Sequence, residues 1–233
     1  MIPRAWCVVP AAGSGQRFGG PVAKQFVEVE GKSVLLHSLE ALARHASVEG
    51  LVVALPPSAD VELPTQVLGK PVLRCEGGAS RADSVLAGLR RIPANAGTDI
   101  LVMVHDAARP NVQLDDLTAL LAAAGASPSG ALLALPMNDT LKQSNDAAEV
   151  ACTVPRGRYW RAMTPQCFAK DRLIQALEAA RNAGIEVTDE SMAMEHAGVH
   201  PKLVAGRADN LKITTQPDLD WFRIQVAMRA SQS

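Results

Sequence analysis

The sequence predicts an α/β protein of the Rossmann-like kind, in which a mostly parallel sheet carries helices on both faces and a β-hairpin projects from the body. Short apolar runs rich in β-branched residues alternate with helical patterns along most of the 233 residues, which is typical of βαβ units. The alternation is interrupted near residue 138 by a polar pattern of two strands. With 48% hydrophobic residues the chain can bury a sizeable core, and we expect a single domain over residues 1–233.

The strands of the sheet are predicted from five apolar runs, at residues 6–11, 51–55, 72–75, 100–104 and 131–135. Two shorter strands are expected later in the chain, at residues 202–205 and 211–214. The helices are predicted from apolar residues that recur every three to four positions. They comprise one behind the N-cap Ser33, one carrying Val85, Leu86 and Leu89, two at residues 117–124 and 171–182, one after Thr188-Asp189-Glu190 and one behind the N-cap Thr215.

The interruption predicts a β-hairpin, because residues 140–143 and 149–154 flank a polar turn, Ser144-Asn145-Asp146. A lone hairpin is marginally stable in water and needs a surface to pack against. We therefore expect a dimerisation arm at about residues 138–157. The alternative is a hairpin folded flat on its own domain.

Composition excludes several classes of partner. The formal net charge is -1 and the isoelectric point is near 6.5, so no basic field is available to hold nucleic acid or an anionic membrane. Aromatic residues make up 3% of the chain, which argues against base-stacking platforms. Four scattered cysteines without a C-x-x-C pair indicate reduced thiols. No signal peptide or spanning segment is evident, and we expect a cytoplasmic protein.

The turn after the first strand has the composition of a triphosphate cradle. Pro10, Ala11, Ala12 and Gly13 lack bulky side chains, so backbone N–H groups can approach a polyphosphate closely. Arg17 and Lys24 follow and could supply positive charge. The alternatives are a purely structural tight turn and two solvated surface cations.

Two familiar nucleotide motifs do not match this region. A dinucleotide fingerprint requires a third glycine where the chain has Phe18. The Gly31-Lys32-Ser33 segment lacks the earlier glycine of a P-loop, since Phe26 stands there.

A second loop, residues 105–110, follows the fully apolar strand at 100–104. Ligands in open parallel sheets bind beyond the carboxyl ends of the strands, so this loop and the Gly13 turn are expected to share one site. Cations outnumber acids among the charged and hydroxyl residues of these loops, which are Arg17, Lys24, Arg81, Asp83, Ser84, Asp106, Arg109, Thr140, Arg156, Thr164, Thr188, Asp209 and Lys212. This excess predicts a site for two phosphorylated ligands. Phosphoryl or nucleotidyl transfer would use Lys, Arg and Mg²⁺ there and would need no nucleophilic side chain.

Three of these residues also have purely structural interpretations. Asp106 could cap the turn that follows it, and Asp209 could belong to a turn with Asn210. Thr188 could serve only as a helix N-cap.

Seven segments in order along the chain resemble the 2-C-methyl-D-erythritol 4-phosphate cytidylyltransferase family. They are P-A-A-G-S-G-Q-R at 10–17, A-K-Q at 23–25, G-G-A-S-R-A-D-S at 77–84, V-H-D-A-A-R-P at 104–110, T-P-Q at 164–166, T-D-E at 188–190 and G-R-A-D-N-L-K at 206–212. The resemblance implies a homodimeric enzyme of non-mevalonate isoprenoid biosynthesis. Such an enzyme joins CTP to 2-C-methyl-D-erythritol 4-phosphate with Mg²⁺ and releases pyrophosphate.

The resemblance also implies a role for each matching residue. Arg17, Lys24, Arg156 and Lys212 would be catalytic. Pro10, Ala11, Ala12, Gly13, Gly78, Ser84 and Ala107 would bind the nucleotide, and Asp106, Arg109, Thr140, Thr164 and Thr188 would bind the polyol phosphate. Asp106 and Asp209 are the acids considered for Mg²⁺, directly or through water. Thr140 and Arg156 on the arm would serve the neighbouring subunit's site.

Two positions depart from the family pattern. Ala79 stands where some relatives have an acid, and Ala23 where a proline is common. Two alternative functions stay open at this point, a ribitol 5-phosphate cytidylyltransferase and a CTP-binding regulator without activity.

Overall fold

The computed structural model describes residues 2–13, 18, 22–57, 59, 61–97 and 100–231. The strands are β1 Ala5–Pro10, β2 Glu28–Val29, β3 Lys32–Ser33, β4 Val48–Leu55, β5 Gln66–Val67, β6 Lys70–Glu76, β7 Leu101–Val104, β8 Ala131–Pro136, β9 Leu141–Ser144, β10 Val150–Val154, β11 Trp160–Ala169 and β12 Lys202–Ala205. The α-helices are α1 Val34–Ala43, α2 Arg81–Arg91, α3 Leu114–Gly125, α4 Lys170–Asn182, α5 Glu190–His196 and α6 Gln216–Ala230.

Eight strands form the main sheet, in the order β12-β8-β11-β7-β1-β4-β6-β5. Strands β7, β1, β4 and β6 are parallel neighbours, and β12 is parallel to β8. Strand β11 runs antiparallel to both β7 and β8, and β5 runs antiparallel to β6. The predicted α/β class is therefore confirmed, with a sheet that is mixed.

Helices cover both faces of the sheet, as predicted. On one face, leucines of α1 and α3 pack against Cys7, Val9 and Val53. On the other face, α2, α4 and α5 pack against Val8 and Val102 among other strand residues. Because alternate residues of β1 enter opposite clusters, the strand is buried on both sides, as a central parallel strand must be.

Helix α6 makes a third, smaller cluster. Its Leu219 and Phe222 are buried against Val29, Val34 and other residues near the start of α1. No helix in the described ranges is long and apolar enough to cross a bilayer.

The predicted helix starts hold, with one change. The Ser33 hydroxyl accepts the Leu36 N–H at 3.1 Å, and Thr215 is the N-cap of α6. At α5 the N-cap is Asp189, whose carboxylate accepts the Met192 N–H at 2.9 Å. The N-cap interpretation of Thr188 is thus wrong by one residue.

Two strand predictions need correction. Residues 211–214 form no strand. The Ile213 N–H donates to Ala108 O at 2.8 Å, and Ala108 lies in the loop after β7, not in a strand. Strand β11 was not predicted, because Pro165 interrupts its pattern and a proline argues against a central strand. The register of β11 against β8 shifts between Ala162 and Gln166, which accommodates the proline at an irregularity of the ladder.

The predicted hairpin is present as β9 and β10, which form a separate two-stranded sheet. Most of its residues are exposed, and Val150 keeps 65% of its surface accessible. Directly after it, Tyr159 and Trp160 are also exposed large side chains. The hairpin thus lies outside the core, and its role in dimerisation stays a prediction.

Candidate active site

A cavity of about 400 Å³ lies at the carboxyl ends of β1, β6 and β7. Its lining residues are Pro10, Ala11, Ala12, Gly13, Lys24, Gln25, Gly78, Ala79, Ser80, Arg81, Ser84, Asp106, Ala107, Ala108 and Lys212. The turn after β1 and the loop after β7 therefore share one site, as the sequence predicted. All seven residues predicted to bind the nucleotide are among the lining.

The turn after β1 is held in place by the Gln25 side chain. Its amide nitrogen donates to the carbonyl oxygens of Ala11 at 2.8 Å and Gly13 at 2.9 Å. The Gln25 side chain is 4% exposed, so these bonds form in a water-poor environment. Gln25 belongs to the A-K-Q segment, but the local sequence does not show which groups a glutamine after a lysine will contact.

Two glycines allow the start of α2 to approach that turn. A Cβ on Gly77 would lie 2.5 Å from the Ala12 Cβ, and one on Gly78 would overlap Asp83. The Gly78 N–H instead donates to the Ser84 hydroxyl at 3.1 Å. A larger residue at either position would overlap these neighbours and force the start of α2 or the turn to shift.

The amino terminus of α2 faces the cavity through Ser80 and Arg81. Ser80 and Asp83 form a capping box, in which the Ser80 hydroxyl accepts the Asp83 N–H at 3.0 Å. A helix amino terminus carries partial positive charge and favours phosphate. Asp83 serves the cap and does not line the cavity.

Asp106 is the carboxylate that lines the cavity, and three cations surround it. Its oxygens lie 2.9 Å from Lys212 Nζ, 3.2 Å from Arg109 Nε and 3.3 Å from an Arg81 guanidinium nitrogen. Burial alone would raise the pKa of Asp106, but the charges of Arg81, Lys212 and Arg109 hold that pKa well below its usual range. Asp106 is thus a fixed anion that orients cations, and the turn-cap interpretation does not describe its side chain.

The loop that carries Asp106 is fixed by a chain of hydrogen bonds through His105 and Thr164. The His105 Nε2 lies 2.9 Å from the Arg109 carbonyl oxygen, which can only accept, so Nε2 carries the proton. The Nδ1 then accepts from the Thr164 hydroxyl at 3.2 Å, and that hydroxyl oxygen accepts the Asp106 N–H at 3.0 Å. The buried Thr164, 4% exposed, therefore donates its hydroxyl proton to His105 within the loop.

Arg81 makes a second contact that sequence analysis missed. Its guanidinium donates to both carboxylate oxygens of Glu190, at 2.5 and 3.2 Å. Burial raises the pKa of Glu190, and the charge of Arg81 opposes that rise. The two residues are 109 positions apart, and local patterns carry no information on such a pairing.

Three of the remaining predicted residues lie away from the cavity, and a fourth cannot be placed. Arg17 lies outside the described residues. Thr140 and Arg156 are exposed on the hairpin and in the turn Arg156–Arg158 after it, and Thr188 is exposed before α5. None of these three lines the cavity of this chain. Lys24 lines the cavity. Burial would raise the pKa of Asp218, but hydrogen bonds from Thr214 and Thr215 and the charge of Lys24 together lower it.

The described residues do not form a metal site of their own, and Mg²⁺ stays a prediction. No group of three or more His, Cys, Asp or Glu side chains in the described chain could hold a metal. Asp209 does not line the cavity, and its carboxylate pairs with Arg207 at 3.0 Å. Among the described residues that line the cavity, Asp106 is the one carboxylate, and its oxygens already contact Arg81, Arg109 and Lys212. A Mg²⁺ ion would therefore depend on phosphate and water ligands, which this ion often keeps.

Comparison with known proteins gives a consistent result. The family model for 2-C-methyl-D-erythritol 4-phosphate cytidylyltransferase matches residues 5–227. The enzyme of that name from Stenotrophomonas maltophilia is 50% identical over 232 residues, covering 99% of this chain and 100% of the relative.

Solved structures agree. A 4-diphosphocytidyl-2C-methyl-D-erythritol synthase superposes with a TM-score of 0.82 at 33% identity, over 97% of this chain and 100% of that one. The Francisella tularensis 2-C-methyl-D-erythritol 4-phosphate cytidylyltransferase gives 0.79 at 30% identity, over 95% and 99%.

The buried His105 predicts a pH dependence of stability. Burial lowers the pKa of His105 from 6.5 to about 4, so between these values the unfolded chain binds a proton that the folded chain does not. The free energy of unfolding should therefore rise from pH 4 to 6.5, with a His105 contribution of up to about 3 kcal/mol. Denaturant titrations across this range would measure it.

His105→Gln removes the titrating group and should flatten that slope, while the same change at exposed His200 should leave it unaltered. Equal slopes for the wild type and His105→Gln would contradict the assignment.

Proposed function

The chain belongs to the 2-C-methyl-D-erythritol 4-phosphate cytidylyltransferase family, and we propose on that basis that its cavity joins CTP to 2-C-methyl-D-erythritol 4-phosphate. The reaction yields 4-diphosphocytidyl-2-C-methyl-D-erythritol and pyrophosphate in isoprenoid precursor biosynthesis. The observation that supports it best is the meeting of a small-residue turn, a helix amino terminus and the cations Lys24 and Lys212 in one cavity.

The nucleotide occupies the side of the cavity formed by the turn after β1 and the start of α2. The turn is preshaped by Gln25, and the close approach of Gly77 to Ala12 brings the start of α2 up to it without an intervening side chain. Backbone groups can read a base without side-chain contacts, so Ala79 does not remove nucleotide recognition. Gly78, Ser84 and Ala107 would frame cytosine and ribose.

The transfer itself needs no nucleophilic side chain. A 4-phosphate oxygen of the polyol phosphate forms a bond to the α-phosphorus of CTP, while the bond to the pyrophosphate leaving group breaks. The attacking oxygen is already ionised at neutral pH, so no base is required. Lys24 and Arg17 stabilise charge that grows on the α-phosphate oxygens. Bound Mg²⁺ would supply further neutralisation of the triphosphate.

The polyol phosphate would lie toward Asp106, Arg109 and Lys212. Asp106 holds Lys212 at 2.9 Å and so fixes one cation beside the attacking phosphate. Thr164 supports this pocket by holding the Asp106 backbone, and its predicted contact with the polyol phosphate stays part of the proposal. Thr140 and Arg156 would complete the pocket of the neighbouring subunit through the arm.

The substrate assignment is tested by pyrophosphate release with CTP and Mg²⁺. We expect release with 2-C-methyl-D-erythritol 4-phosphate and none with ribitol 5-phosphate or without an acceptor. Release with ribitol 5-phosphate alone would overturn the acceptor. CTP binding without release would support a regulator in place of an enzyme.

Lys24→Ala is expected to lower kcat by about 100-fold or more with a smaller change in CTP affinity, because Lys24 acts on charge that develops in the transition state. Steady-state kinetics and CTP titration separate the two effects. Lys32→Ala is the matched control, since the Lys32 ammonium lies 2.7 Å from Glu40 on the surface. An unchanged kcat for Lys24→Ala would exclude it from catalysis.

The arm proposal is tested by mixing inactive subunits. If Arg156 serves the partner's site, then Arg17→Ala and Arg156→Ala subunits should regain activity when mixed, because each heterodimer contains one complete site. Activity after verified subunit exchange would be the readout. No recovery would place Arg156 in the site of its own chain.

A further inference from the structure

Glu190 is a buried acid that the reaction scheme does not use. It is the first residue of α5 and is 1% exposed. Its two carboxylate oxygens accept hydrogen bonds from the two terminal nitrogens of Arg81, at 2.5 and 3.2 Å. This bidentate arrangement fixes the plane of the guanidinium, which a single contact would leave free to rotate.

Arg81 passes that orientation on to Asp106. The same nitrogen that contacts Glu190 at 3.2 Å also donates to an Asp106 oxygen at 3.3 Å. The other Asp106 oxygen is 2.9 Å from Lys212 Nζ. A continuous path of charge-assisted contacts thus runs from Glu190 through Arg81 and Asp106 to Lys212.

The start of this path is anchored to the sheet. Gln166 of β11 accepts the Ser191 N–H at 2.7 Å and donates to the Asp189 carboxylate at 2.9 Å. The two residues that flank Glu190 are therefore both tied to one buried side chain, since Gln166 is 1% exposed. Glu190 projects from a fixed backbone, which makes it suitable for holding another residue in place.

Charge balance explains why a second acid is needed. Asp106 contacts the three cations Arg81, Arg109 and Lys212, and the Lys212 side chain is the most exposed of the three at 37%. Without Glu190, the whole charge of Arg81 would act on Asp106 and compete with Lys212 for it. Lys212 would then be the cation that is released, because water can solvate it most easily.

We propose that Glu190 is a positioning residue for the transfer reaction, which locks Arg81 so that Asp106 can hold Lys212 beside the polyol phosphate. The proposal rests on the proposed function, because it assigns Lys212 to the acceptor phosphate. Its effect should appear on the acceptor side of the reaction and leave the nucleotide side nearly unchanged.

The chain provides a matched control in a second Arg–Glu pair on α2. Arg90 contacts Glu178 of α4 at 2.5 Å, but these side chains are exposed and line no part of the cavity. Glu190→Gln and Glu178→Gln make the same chemical change to an Arg–Glu pair of α2. Glu178 controls for the loss of such a pair, and the thermal unfolding measurement accounts for the greater burial of Glu190.

The experiment measures kcat and both KM values for the wild type, Glu190→Gln and Glu178→Gln, with thermal unfolding as a check of folding. We expect Glu190→Gln to raise the KM for 2-C-methyl-D-erythritol 4-phosphate by about tenfold or more and to lower kcat, with less than a twofold change in the KM for CTP. Glu178→Gln should match the wild type.

Arg81→Lys supplies a second test if Glu190→Gln folds poorly. Lysine keeps the charge but cannot contact Glu190 through two nitrogens while also reaching Asp106, so the KM for the acceptor should rise here too. Because Arg81 itself lines the cavity at the start of α2, the KM for CTP serves as the selectivity readout only for Glu190→Gln. Wild-type kinetics in folded Glu190→Gln, or equal losses for both substrates that follow the folded fraction, would overturn the proposal. An inactive wild type would instead refute the proposed function.

Discussion

The shared carboxylate of Asp106 is the interaction on which the rest of the site depends. Four elements meet at it: the loop after β7, the start of α2 through Arg81, the segment before α6 through Lys212, and α5 indirectly through Glu190. Like-charged cations repel one another and do not gather without an anion between them. A buried acid with several cationic partners allows a phosphate-binding site to exist before any phosphate arrives.

The surrounding structure serves to keep this anion in place. The His105 and Thr164 bonds fix its backbone, and the antiparallel strand β11 brings Thr164 beside the end of β7. Catalysis by positioning demands such support, because a small displacement of a reacting group has a large effect on rate. The family's chemistry, which joins two anions, explains why rigidity and charge are combined here.

Much of the fold followed from the sequence because the central strands are apolar runs bounded by turns, and their carboxyl ends meet by topology. Pro10 to Gly13, Lys24 and Asp106 could be placed in one site for that reason. The rest depended on long-range pairing. Pro165 concealed β11, while Gln25, Gln166 and Glu190 act through partners that no local pattern specifies. Residues 211–214 have a strand-like composition, but a strand needs the edge of a neighbouring strand to pair with. These residues contact the loop after β7 instead.

Strand β11 has a consequence for how this chain can change in length during evolution. It connects the exposed hairpin to Thr164 and Gln166, and successive residues of a strand point to opposite faces. An insertion of one residue between Trp160 and Thr164 would shift the register of the strand. Either Thr164 and Gln166 or the residues before them would then point to the opposite face of the sheet. An insertion at the hairpin tip, between Ser144 and Val150, would leave both unmoved. Length variation should therefore be tolerated at the tip and selected against within a few residues of the site.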